Sequence, residues 1–182
     1  MKSCAGSLGY KERGGSVMRL FIAVLLTDSM TRTLVGAMHD LKKAGLTGNY
    51  VPAKNMHMTL AFIGETDNVE GAKRAMDSLP LEKFRISLTD GGFFGDLLYA
   101  GVKGNQKIKK YVSDLKKALR ENGVPCDSDK FNPHITLIRQ VKGRRPASVA
   151  MPSADMTVEG ISLMRSDMKD GKRVYKEIYR VS

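Results

Sequence analysis

The chain has no tryptophan, and only two cysteines and three histidines occur among its 182 residues. Cysteines as far apart as Cys4 and Cys126 make neither a disulfide framework nor a thiolate metal site, and they suit a reducing cytoplasm. Long hydrophobic runs are missing too. The most apolar stretch, residues 20–26, is seven residues long, far short of the roughly 20 that cross a bilayer. No small-residue cleavage site follows it, so it reads as a buried first strand rather than a signal peptide, and no membrane partner is expected. The sequence also lacks low-complexity tracts and Pro- or Ser-rich linkers, which leaves no place to divide it into independent domains. No cluster of Asp, Glu and His has the pattern of a metal site, so neither metal nor cofactor is expected.

What is abundant is positive charge. Thirty Lys and Arg against 19 Asp and Glu give a formal charge of +11, an excess that favours polyanionic partners. Many lysines (Lys107, Lys109, Lys110, Lys116, Lys117) fall on one predicted helix and read as its solvated face. A second cluster, Arg139, Lys142, Arg144 and Arg145, is better placed to hold phosphates because it follows a motif described below. Residues 1–17 carry Gly6, Gly9, Gly14 and Gly15 without hydrophobic periodicity. They read as a flexible N-terminal extension ahead of one folded unit over 18–182.

Along that unit the periodicities alternate. Met30, Leu34, Met38 and Leu41 recur at helical spacing after a cap at Thr27 or Asp28, and Gly45 stops the helix. Residues 50–63 read as extended, broken near Pro52, and a short helix over about 68–79 follows. Phe84, Ile86 and Leu88 alternate as a half-buried strand, Gly91 and Gly92 turn the chain, and 97–102 forms the next strand. A long amphipathic helix runs over about 106–122 and stops at Gly123. Strands over 133–141, 156–166 and 174–181 complete the chain, the last two joined by a turn at Asp170-Gly171. This is an α+β pattern with antiparallel or mixed sheets and helices on their outer faces.

One unit occurs twice. Twelve residues after Gly45 the chain reads His57-Met58-Thr59-Leu60, and eleven residues after Gly123 it reads His134-Ile135-Thr136-Leu137. The offset of 77 residues implies two lobes related by an approximate two-fold axis and facing one another across a groove. With 9 Thr and 17 Leu in the chain, two of three histidines being followed by x-Thr-Leu has a chance on the order of 10⁻⁴. In a strand, His and Thr of each motif share one face while the apolar residues anchor the other. A lone strand histidine or threonine is ordinarily structural; the repeated pair is not. His39, off the apolar stripe of its helix, reads as a solvated residue. Two imidazoles with an ordinary pKa of about 6.5 suit paired general acid and base work. Hydroxyls beside them suit stabilisation of charge on a phosphoryl oxygen.

The motifs resemble those of the two-histidine phosphoesterase superfamily, in its RNA 2′,3′-cyclic phosphodiesterase branch, historically called 2′-5′ RNA ligases. The similarity includes the opening strand Met18-Arg19-Leu20-Phe21-Ile22-Ala23-Val24. It continues through Lys54-Asn55-Met56-His57-Met58-Thr59-Leu60-Ala61-Phe62-Ile63-Gly64-Glu65 and Phe131-Asn132-Pro133-His134-Ile135-Thr136-Leu137-Ile138-Arg139, covering essentially 18–182. The resemblance implies a bilobal fold with two antiparallel sheets around a central groove. It implies metal-independent opening of 2′,3′-cyclic phosphate ends of RNA to a 2′-phosphate. Carried over, His57 and His134 are the acid/base pair, and Thr59, Thr136 and Arg139 bind the phosphate. Since a 2′-phosphate product requires the 3′-oxygen to leave, His57 is read as the proton donor to it and His134 as the proton acceptor, an order the motifs themselves leave open. Strict alternation points Arg139 away from His134 unless the strand bulges between them. The partners implied are RNA ends or cyclic nucleotides, met by a monomer.

Tyr50, Phe93, Phe94 and Phe131 are candidates to stack on a terminal base, with core packing the competing role. Cys126 reads as a small apolar filler. Three readings remain distinct: the RNA-end phosphodiesterase; a non-catalytic RNA or nucleotide binder using the same groove; and the same enzyme on ADP-ribose 1″,2″-cyclic phosphate or a 2′-5′ linked oligonucleotide. Ligation, the reverse reaction, needs the same acid and base.

Overall fold

Buried alternating residues build one half of the molecule around the first apolar run. A computed structural model describes residues 16–182 apart from 105 and 144; the expected N-terminal extension lies almost wholly outside the described residues. Leu20, Ile22 and Val24 of β1 (Met18–Leu25) are fully buried on one face, while Phe21 and Ala23 fill the other. Helix α1 (Asp28–Lys43) follows, its start capped by the Thr27 hydroxyl, which accepts from the Met30 N–H at 3.3 Å. Met30, Leu34 and Met38 supply its buried stripe, each worth about 1.5–3 kcal/mol of burial.

After β2 (Thr47–Tyr50) the chain breaks at Pro52 into a short 3-10 turn (Ala53–Asn55) and enters β3 (His57–Thr66). The elements that follow are α2 (Val69–Asp77, capped by Asn68), β4 (Phe84–Phe94), β5 (Leu97–Lys103), α3 (Gln106–Glu121) and β6 (His134–Lys142). Then come β7 (Asp155–Val158), β8 (Ile161–Lys169) and β9 (Lys172–Val181). Every pairing is antiparallel, in the order β7-β4-β5-β6-β3-β1-β8-β9, with β2 also on β6.

The ladders of the two lobes are joined at one residue pair. β3 and β6 are joined by Met58 opposite Ile135, both fully buried. On one side lie β3-β1-β8-β9, on the other β6-β5-β4-β7. β1, α1 and β3 thereby correspond to β5, α3 and β6, the expected two-fold repeat. The two expected sheets are the halves of one hydrogen-bonded path that narrows to this pair.

Three local expectations fail for identifiable reasons. Gly91 and Gly92 do not turn the chain: β4 passes straight through them with a register shift against β5. Their role is close approach, since a Cβ on Gly91 would collide with the Tyr99 carbonyl oxygen. The strand expected over 156–166 is two strands in different lobes, β7 on β4 and β8 on β1. Lys116 is not on a wet face either. It is buried, its ammonium 2.5 Å from Asp127 Oδ2 and 3.0 Å from the Asp129 carbonyl, which fixes the loop leading into β6.

Candidate active site

The register at the junction decides what faces what. In an antiparallel pair centred on Met58 and Ile135, one step each way sets His57 across from Thr136 and Thr59 across from His134. These four residues occupy the face opposite the two buried apolar anchors. Directly opposed side chains in such a ladder have Cβ atoms roughly 4.5–5.5 Å apart. Each imidazole therefore stands beside the other motif's hydroxyl. All four are half-buried. Neither threonine hydroxyl is engaged in a hydrogen bond with the protein among the described residues, so both are free to donate; Thr136 lines the groove described below, Thr59 and His134 do not.

Both rings are oriented in the same way. His57 Nδ1 is 2.7 Å from the Asn55 carbonyl oxygen, and His134 Nδ1 is 2.8 Å from that of Asn132. A carbonyl only accepts, so Nδ1 carries the proton in each ring, and the exchangeable position is Nε2. In neutral form each Nε2 offers a lone pair; in charged form it offers a proton. Nitrogen-15 NMR at a pH where both are neutral is expected to find both rings as Nδ1–H tautomers. A majority Nε2–H form in either would remove this orientation.

Aromatic rings wall each imidazole. Phe21 and Tyr175 lie 4.8 and 5.2 Å, centroid to centroid, from His57. Phe94 and Tyr99 lie 5.3 and 5.6 Å from His134. Burial among these neighbours lowers the pKa of His57. The Asn55 carbonyl opposes that shift by accepting from the ring, and the charges of Arg139 and His134 add to the lowering. Arg139 lines the same groove as His57.

Arg139 is there because β6 bulges. Against β5, Thr136 pairs with Tyr99 but Ile138 pairs with Leu98, so Leu137 is the extra residue. The bulge puts Leu137 and Ile138 both into the core and returns Arg139 to the face of His134 and Thr136. Gln140, next in line, sits at φ 53°. β3 bulges identically at Leu60, where Ala23 pairs with Thr59 and Ile22 with Ala61. The residue of β3 two-fold related to Arg139 is Phe62, over whose ring the Arg19 guanidinium lies at 4.9 Å. At this position the halves differ in charge: a cation in one, a capped ring in the other.

His57, Thr136 and Arg139 line a groove of about 710 Å³. Its walls are the segment from Gly48 to Pro52, with Asn55, and the β8–β9 hairpin from Met168 to Tyr175. Asn55 links the two walls: its buried side-chain amide donates to the Arg173 carbonyl at 3.0 Å while its own carbonyl holds His57.

Of the other residues singled out in the sequence, Tyr50 lines the groove and Phe94 flanks His134, whereas Phe93 and Phe131 pack against the core. Arg145 donates to the Gly95 and Val141 carbonyls and ties down a loop rather than facing phosphate; Arg144 lies outside the described residues. His39 is exposed. Asn55 and Asn132 were not among the sequence candidates. The signal was present: the repeat is Asn-x-His-x-Thr-Leu, and the asparagine also recurs at an offset of 77. Among the described residues, no group of three or more His, Cys, Asp or Glu is placed to hold a metal ion.

The sequence model of the 2′-5′ RNA ligase superfamily matches residues 32–170, and the chain belongs to that family. A Thermus thermophilus protein named RNA 2′,3′-cyclic phosphodiesterase is 30% identical over 186 residues, covering 91% of this chain and 90% of its own. One of the same name from Thermotoga maritima is 25% identical over 179 residues, covering 89% and 94%. Among solved structures, TT0787 of Thermus thermophilus superposes with a TM-score of 0.77 at 27% identity, over 90% of this chain and 96% of that one. E. coli LigT in apo form shares the fold at a TM-score of 0.76 and 22% identity, over 91% and 96%.

Proposed function

We propose that the chain is an RNA 2′,3′-cyclic phosphodiesterase that opens the cyclic end to a 2′-phosphate with His57 as acid and His134 as base. The observation that carries this reading is the pair of imidazoles, each fixed through Nδ1 to a backbone carbonyl and each opposed by the other motif's free hydroxyl. The names of the relatives point to the same activity.

In this reaction a water oxygen attacks phosphorus as His134 Nε2 removes its proton. The bond from phosphorus to the 3′-oxygen breaks as His57 Nε2–H gives that oxygen a proton. The phosphate stays on the 2′-oxygen, and the two rings end with protonation states exchanged. Thr59 and Thr136 donate to the non-bridging oxygens, where charge accumulates. Arg139 neutralises the phosphate from one side. Nothing in this scheme calls on a metal, and with a 5′-hydroxyl attacking phosphorus in place of water the same steps join two ends through a 2′-5′ linkage as the 3′-oxygen leaves. We place the enzyme in the cytoplasm as a monomer. No helix among the described residues is long and apolar enough to cross a membrane.

The test is incubation with an RNA ending in a 2′,3′-cyclic phosphate in excess EDTA, followed by identification of the hydroxyl that keeps the phosphate. Turnover to a 2′-phosphate is expected; chelator-sensitive activity overturns metal independence. Salt-sensitive RNA binding without turnover replaces the enzyme with a binding module. The pH dependence has a defined sign. A proton donor stops working as pH rises through its pKa, and burial holds His57 below the ordinary value of about 6.5, which moves that loss to lower pH. Removing the Arg139 charge by Arg139→Leu takes away one cause of that lowering. The His57 titration, followed by NMR, is then expected to move to higher pH; a midpoint that stays put or falls contradicts the assigned influence.

A further inference from the structure

The groove extends well beyond the reacting phosphate, and its far wall has a distinct chemistry. Three cations line it, Arg139, Lys172 and Arg173, and no carboxylate does. None of the three is in an ion pair among the described residues, although elsewhere Lys107, Lys110 and Arg85 have carboxylate partners. Arg139 serves the cyclic phosphate. Lys172 and Arg173 stand exposed at the start of β9. Tyr175, whose ring edge meets His57, comes three residues after Lys172, a rise of about 10 Å along a strand. Lys172 and Arg173 thus extend the cationic lining along β9, away from the ring that meets His57. Tyr50 lines the same groove, its hydroxyl already donated to the Leu46 carbonyl at 2.8 Å, so its ring rather than its oxygen is available to a base.

We infer that the β8–β9 hairpin is a binding track for the RNA strand 5′ of the cyclic end, with Lys172 and Arg173 on its phosphates and Tyr50 stacking on a base. This rests on the function proposed above and narrows its substrate class. The preferred substrate is a single-stranded oligonucleotide end, not a mononucleotide. Unpaired cations on an exposed hairpin gain affinity by releasing counterions from the strand. Aromatic stacking adds a sequence-tolerant grip.

The test compares a mononucleoside 2′,3′-cyclic phosphate with a five-nucleotide RNA bearing the same end, for the wild type and the Lys172→Ala/Arg173→Ala double variant. For the wild type, kcat/KM on the RNA is expected to exceed that on the mononucleotide about tenfold or more at low salt. The double variant is expected to lose most of that preference while mononucleotide turnover changes less than twofold. The dependence of log KM on log salt for the RNA should flatten by about 1.4, since each single-strand phosphate contact contributes roughly 0.7. A double variant that keeps the preference and the slope overturns the inference. Binding of the same RNA with a 2′-phosphate end, followed by fluorescence titration against salt, separates the two claims. Absent wild-type turnover on both substrates with a salt slope that still falls in the variant sinks the enzymatic reading alone. An unchanged binding slope sinks the track.

Discussion

Either His57→Ala or His134→Ala is expected to lower turnover of a 2′,3′-cyclic phosphate about 10²–10⁴-fold, the range for losing one positioned acid or base. The double variant should fall little further than the worse single one, because the two rings act in one event. The roles separate with a substrate whose 3′-bridging oxygen is replaced by sulfur. A thiolate leaves without a proton, so His57→Ala should regain most of its activity on it and His134→Ala should not. Rescue of the His134 variant instead would exchange the two roles, and full activity in either variant on the ordinary substrate would remove that residue from the chemistry. Circular dichroism melts of the variants exclude unfolding as the cause, since both rings are only half-buried.

The second large effect belongs to the hydroxyls. Thr59→Val and Thr136→Val keep the branched shape that suits a strand and delete only the donor. Each is expected to cost about 10²–10³-fold in kcat, comparable with removing one preorganised donor to developing charge. Because the donor matters most when phosphorus carries five oxygens, KM should change little. Serine at either position should restore most of the rate. Valine variants with wild-type kcat would return both residues to a purely structural role.

The grouping of His57 with Thr59 and of His134 with Thr136 was legible in the sequence because strand geometry is simple: a period of two puts both members of each pair on one face. The repeat at Gly45-to-His57 and Gly123-to-His134 supplied the second half and the two-fold arrangement. Arg139 was only conditionally legible. Its side depends on a bulge at Leu137, and a bulge is set by cross-strand packing against Leu98 and Tyr99, which lie some 40 residues away in the chain. The same limitation hid the change of lobe between β7 and β8, where residues 156–166 read as one apolar strand. The repeated asparagines at 55 and 132 were visible, but not that their backbone carbonyls hold the rings, since a backbone acceptor leaves no signature in side-chain identity. Gly91 and Gly92 carried the strongest turn signal in their region, but the demand they meet is room for a neighbouring backbone.

A pocket assembled from equivalent halves is a chemical palindrome, and a palindrome has no preferred reading direction. Left to themselves, two such halves would receive the cyclic ester in either orientation and sever either of its ester linkages to the sugar. Arg139 on β6, where the corresponding position of β3 holds the capped ring of Phe62, breaks that equivalence. For the proposed reaction, the choice of linkage is expected to follow from a side chain that transfers no proton, and from the one extra residue in a strand that sets its side.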